Sequence, residues 1–162
     1  DVGKAAILFY LAAYALTNLG AFGVIALLGT RERANDDLRD YAGLWYTHPG
    51  IATLMTFFLL SLGGFPPTAG FIAKWYVFSA AVGAGYYGLA IIGVLSSVVS
   101  VFFYLRIVVM MYMTERDARP VPAPIPAIAM AGLILSVIGV LYLGVLPSKV
   151  IDFAQASIST IF

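Results

Sequence analysis

The sequence predicts an all-α membrane protein of four transmembrane helices, the second of them discontinuous. Three observations carry that expectation. Hydrophobic residues make up 62% of the 162 residues and charged ones only 10%, against roughly 25% charged in soluble domains, so much of the surface must face lipid. Four apolar stretches are long enough to cross a bilayer, for which about 20 residues suffice. One of the four is too long for a single straight crossing and carries adjacent prolines, Pro66 and Pro67, at its middle.

The first stretch, 5–28, fits one crossing, and its length and the lack of a small-residue cleavage site argue against a cleavable signal. The chain opens at Asp1 without a methionine, as a piece of a longer protein would. The second stretch, 50–82, would make a straight helix of roughly 50 Å at about 1.5 Å per residue, against a hydrocarbon core of about 30 Å. Its centre holds Gly63, Gly64, Pro66, Pro67 and Gly70. Prolines remove donors and clash with the preceding turn, and glycines tolerate unusual dihedrals, so the helix is expected to break near 65–70. The third stretch, 86–113, and the fourth, 125–146, fit one crossing each. After Pro147 the tail 148–162 reads as an interfacial helix with Ile151, Ala154, Ile158 and Ile161 on one face.

Charge placement decides how often the second stretch crosses. With one broken crossing, Arg31, Arg33, Arg39, Arg116 and Arg119 share one side, and only Lys4 and Lys149 lie on the other. Two crossings would nearly even the split. Positive charge gathers on the cytoplasmic side, which favours one broken span between the aqueous connectors 30–41 and 114–124.

Composition also excludes much chemistry. There is no cysteine, and His48 is the sole histidine, so neither thiolate-ligated metal nor a multi-histidine site is available, and no cofactor or metal is expected. A net charge of +1 with no basic block gives no footprint for nucleic acid. No span contains Asp or Glu, and the glycine clusters match neither a P-loop nor a dinucleotide fingerprint.

Lys74 is the residue that asks for a function. It follows Pro67 by seven positions and sits among Phe71, Ile72, Trp75, Tyr76, Val77 and Phe78. A lysine inside a span costs about 2.5–3.5 kcal/mol, and giving up its proton at neutral pH costs roughly 4.6 kcal/mol. The two are close, so hydration or a neighbouring charge decides, as a proton relay requires. A break beside it frees backbone groups that need water or protein partners, as in transporters. A lysine snorkelling to the interface, or held in a static ion pair, is the structural alternative. Arg106 is permanently charged and about two turns from the end of its span, where it reaches the cytoplasmic interface and does not shuttle protons. Tyr10, Tyr14 and Asn18 recur every four residues on the first span, with Thr17 beside them; Ser97, Ser100 and Tyr104 line up on the third, beside Ser96. These residues either line a chain of waters or hydrogen-bond packed helices. His48, at the mouth of the broken span, reads as a surface histidine.

The run Met55–Phe78 (MTFFLLSLGGFPPTAGFIAKWYVF) resembles the signature of the antiporter-like subunits of respiratory complex I, nearest to subunit N, the counterpart of mitochondrial ND-two. Its flanks agree, with Phe9–Tyr14 and Asn18–Phe22 before it and Ser97–Arg106 after it. The resemblance covers nearly the whole chain, although Ala73 and Trp75 stand where glycine and phenylalanine are common. It implies the last four helices of a fourteen-helix subunit that translocates protons, coupled remotely to NADH:quinone oxidoreduction. Lys74 falls on the lysine that joins the family's central hydrophilic axis to its outer half-channel. The family's first repeat, with its glutamate–lysine pair, lies outside this chain, so these helices alone form no complete proton path. The implied partners are other membrane-arm subunits, the missing N-terminal helices of the same subunit, the lipid bilayer and protons. The implied location is a bacterial inner membrane, crossed several times, with an organellar membrane as the alternative. Multisubunit sodium/proton antiporters and membrane-bound hydrogenases share the fold.

Overall fold

A computed structural model describes residues 2–29, 37–114 and 125–161, without the side chains of 2 and 158–161. Arg31, Arg33, Arg116 and Arg119, most of the two charged connectors, and the Ile158 and Ile161 side chains lie outside the described residues. Seven α-helices make up the described fold: α1 (Val2–Leu28), α2 (Leu44–Thr47), α3 (Pro49–Gly63), α4 (Ala69–Gly83), α5 (Tyr87–Met113), α6 (Ala127–Val145) and α7 (Ser148–Ile161). A 3-10 turn, Leu38–Tyr41, precedes α2. By length and composition α1 from Gly3, α5 and α6 are able to cross a membrane, while α3 and α4 are shorter apolar helices.

Proline sets several boundaries. Pro49 occupies the first turn of α3, where a missing N–H costs nothing. Pro126 and Pro147 stand immediately before α6 and α7. The end of α3 is closed by Gly64 at φ 87°, a left-handed conformation that glycine adopts without Cβ penalty. Pro66 and Pro67, joined by a cis peptide, then leave the chain without two donors. Helix resumes at Ala69, so the gap is Gly64–Thr68, and Ala69 and Gly70 are already helical.

The chain after α1 lies against the far end of α5: the Gly43 N–H donates to the Met110 carbonyl at 3.1 Å, and Trp45 stacks on Tyr112 with centroids 5.0 Å apart. A tight turn through Ala84 and Gly85 joins α4 to the start of α5. Laid end to end, α3 and α4 therefore run beside α5 in the opposite direction.

α1 is the hub, touching α3, α4, α6 and α7. Phe9, Ala13 and Val24 from it join Phe58, Ala69, Ala73, Met111 and Val140 in the main core. The apolar face of α7 packs on α1, with Ala154 buried against Ala5 and Ile151 joining the main core. α5 is the opposite case. It exposes Val98, Val99, Phe102 and Met113 by 62–77%, a surface suited to lipid or to other membrane helices.

Candidate functional site

The last turn of α3 has four carbonyls with no acceptor role inside the helix. The Leu60 carbonyl accepts from the N–H groups of Gly64 and Phe65, and the Ser61 carbonyl from Gly64, all at 3.0 Å. The carbonyls of Leu62 and Gly63 are answered from across the break. Lys74, in the second turn of α4, sends its side chain back along the helix, as helical side chains lean. Its Nζ donates to Leu62 O at 3.0 Å and to Gly63 O at 2.9 Å. The ammonium thus caps α3 at the negative end of its dipole. Thr68, at the start of α4, instead donates its hydroxyl to Phe65 O at 2.6 Å, tightening the loop.

The break is packed closely enough to hold this geometry. A Cβ on Gly70 would overlap the Ser61 carbonyl, and one on Gly144 of α6 would overlap the Pro67 carbonyl. Glycine at these two positions lets the starts and ends of three helices meet over the unwound segment.

Half-buried Lys74 borders two hollows. The first, about 170 Å³, is lined by Tyr10, Tyr14 and Thr17 of α1, Ser61 of α3, and Ser96, Ser97, Ser100 and Tyr104 of α5. Water occupies about 30 Å³ in the liquid, so several molecules fit beside these hydroxyls. The Thr17 hydroxyl donates to Ala13 O at 2.7 Å, Ser97 to Gly93 O at 3.0 Å and Ser100 to Ser96 O at 3.0 Å. Their oxygens keep lone pairs for a donor in the hollow. The second hollow, about 220 Å³, is mostly apolar, walled by Phe71, Phe78, Val94 and Val101; Lys74 and Ser97 border both.

Of the residues singled out in the sequence, Tyr10, Tyr14, Ser97, Ser100 and Tyr104 meet around Lys74. Asn18 lies elsewhere, its amide donating to Tyr14 O at 2.8 Å. Sequence reasoning overlooked Ser61, which is fully buried and 3.2 Å from Thr17 Oγ1. A serine within the run Phe57–Leu62 was the available signal. His48 stands between α2 and α3 with Nδ1 enclosed and, among the described residues, unpartnered.

Residues 2–100 match a family described as NADH:quinone oxidoreductase/Mrp antiporter, TM. The chain is 48% identical over 163 residues to NADH-quinone oxidoreductase subunit N of Trichlorobacter lovleyi, covering 98% of this chain and 33% of that protein. It is 48% identical to NADH-quinone oxidoreductase subunit N 2 of Roseiflexus castenholzii, across 94% of this chain and 30% of that one. It is similar in structure to a chain of respiratory complex I from Thermus thermophilus, solved with bound aureothin, at a TM-score of 0.78 and 30% identity. That match covers 92% of this chain and 34% of the other. The chain thus spans about a third of the length of the curated relatives it matches.

Proposed function

This chain belongs to the NADH:quinone oxidoreductase/Mrp antiporter transmembrane family, and we propose that it carries a proton-relay segment of an NADH:quinone oxidoreductase. In this reading Lys74 takes up and releases the proton, the hydroxyl-lined hollow supplies water to it, and electron transfer to quinone takes place on other chains. The observation that carries the reading is the seat of Lys74. Its ammonium rests on two backbone carbonyls at a helix break, and the residue lines both a hydroxyl-rich hollow and an apolar one. Backbone carbonyls hold an ammonium without neutralising it, so the proton is not committed to a fixed carboxylate partner.

The membrane arrangement that goes with this is four crossings by α1, the α3–α4 pair, α5 and α6, as the last helices of a fourteen-helix subunit. Support for a single crossing by α3 and α4 comes from the Gly43–Met110 bond, which puts the entry to α3 beside the exit of α5. The partners are the remaining helices of the same subunit and neighbouring membrane-arm subunits, and the setting is a multi-pass bacterial inner-membrane complex. The names borne by relatives at 48% identity support the oxidoreductase over a free-standing cation/proton antiporter.

The test is proton uptake and quinone reductase activity in membrane vesicles whose complex carries Lys74→Arg. Loss of coupled uptake with the complex intact supports the relay, and full uptake overturns it.

A further inference from the structure

Ser97 lies well inside α5, where its hydroxyl donates to the Gly93 carbonyl at 3.0 Å. A serine in any apolar helix satisfies itself this way, and the bond alone gives Ser97 no further role. Its register against α4 does. The turn through Ala84 and Gly85 makes α4 and α5 antiparallel neighbours. They meet at Gly93, where an added Cβ would stand 2.6 Å from Phe78 Cε1. Lys74 precedes Phe78 by four residues and Ser97 follows Gly93 by four. One helical turn from that contact on each helix, the two therefore face one another. The hollows agree, since Lys74 and Ser97 alone border both the hydroxyl-rich one and the apolar one.

The Lys74 ammonium has three N–H donors. The Leu62 and Gly63 carbonyls take two, and among the described residues the third has no protein acceptor. The neighbouring hydroxyls differ in what they offer it. Ser61 and Thr17 are committed to each other and to the Ala13 carbonyl, and Ser100 borders the hydroxyl-rich hollow alone. Ser97 gives its proton to Gly93 O and keeps both lone pairs for a donor. It also stays beside the lysine side chain in either hollow. An ammonium in the apolar hollow without acceptors would be costly, and Ser97 carries the one hydroxyl among that hollow's lining residues.

We infer that Ser97 is a positioning residue for Lys74: its hydroxyl accepts the third ammonium N–H, directly or through one water, and holds the ammonium where the two hollows meet. This role rests on the relay reading of Lys74 and names the group that serves it.

The experiment measures proton uptake, quinone reductase activity and the amount of intact complex in membrane vesicles carrying Ser97→Ala, Ser97→Thr or Lys74→Arg. Ser97→Ala is expected to accumulate as wild type and to lower coupled uptake about tenfold, the weight of one hydrogen bond to a charged group. Ser97→Thr keeps the hydroxyl and is expected to recover most of the uptake, a rescue that a serine needed only for packing would not show. Full uptake by Ser97→Ala, or an equal loss in Ser97→Thr, overturns the role. If Lys74→Arg has lost uptake while Ser97→Ala keeps it, the positioning role falls and the relay stands; if Lys74→Arg takes up protons fully, both fall. Ser97→Ala is expected to add no loss of quinone reductase activity to the Lys74→Arg complex. An added loss overturns the role, because Ser97 then acts elsewhere. Should Ser97→Ala fail to accumulate, Ser97→Cys, near in size and a weak acceptor, takes its place with the same expected loss; full uptake by it again overturns the role.

Discussion

Lys74 Nζ and Gly63 O are 2.9 Å apart across a gap in which the helix has lost its own hydrogen bonds. The contact makes the lysine a cap as well as a charge, and it separates two effects that a single substitution would confound. Lys74→Ala leaves the Leu62 and Gly63 carbonyls without a donor, at about 1–3 kcal/mol for each buried unsatisfied group. Less intact complex is expected in detergent extracts. Lys74→Arg keeps donors and charge and is expected to restore the amount of complex. An alanine variant that accumulates as well as wild type would remove the capping role.

Gly64 is expected to resist replacement. At φ 87° an alanine costs about 1–2 kcal/mol, and its Cβ would stand 3.0 Å from Lys74 Cδ. Gly64→Ala should therefore lower both the melting temperature of the complex and its proton uptake, with Gly64→Asn milder because asparagine tolerates the left-handed region. Equal melting of the alanine variant and wild type would contradict this.

Thr17 and Ser61 hold α1 to α3 through hydroxyls 3.2 Å apart. Thr17 spends its proton on Ala13 O, so Ser61 donates between the two hydroxyls. Thr17→Val strands that donor and is expected to cost about 1 kcal/mol, and Ser61→Ala, which leaves Thr17 with its Ala13 bond, is expected to cost less. Together they should cost less than the sum, by about 0.5 kcal/mol or more. A double-mutant cycle read from thermal inactivation of the complex measures the coupling, and strict additivity would mean that the hydroxyls do not interact.

Topology is open to direct labelling because the chain has no cysteine of its own. Single Asp37→Cys and Thr114→Cys variants are expected to react with a membrane-impermeant thiol reagent from the same side, as the Gly43–Met110 bond requires. Reaction from opposite sides would mean that α3 and α4 each cross the membrane.

The helices and their break were legible because length, apolarity and paired prolines act locally. The offset at the break has a local reason as well: a helix spends its first N–H groups outside its own ladder, so α4 can start at Ala69, only two residues behind Pro67. The hollow was legible only in part. Spacing by four drifts about 40° per step around a helix of about 100° per residue, so Tyr10 and Tyr14 share a face that Asn18 leaves and that Thr17, seven residues on, regains. Ser61 carried no periodic mark inside an apolar run. Least visible was the capping of α3 by Lys74, since the acceptors are backbone carbonyls that every residue has, and only the fold brings these two within reach.

At Gly144, α6 sits on the Pro67 carbonyl with no space for even a methyl group. The unwound segment is therefore a clamped joint: it has lost helical hydrogen bonding without gaining room to flex. α3 and α4 cannot pivot about it unless α6 travels with them, and α6 is itself packed on α1. A swing of the Lys74 side chain escapes that coupling, because it needs no change in the angle between α3 and α4. Any slower and larger movement would be shared by the whole bundle.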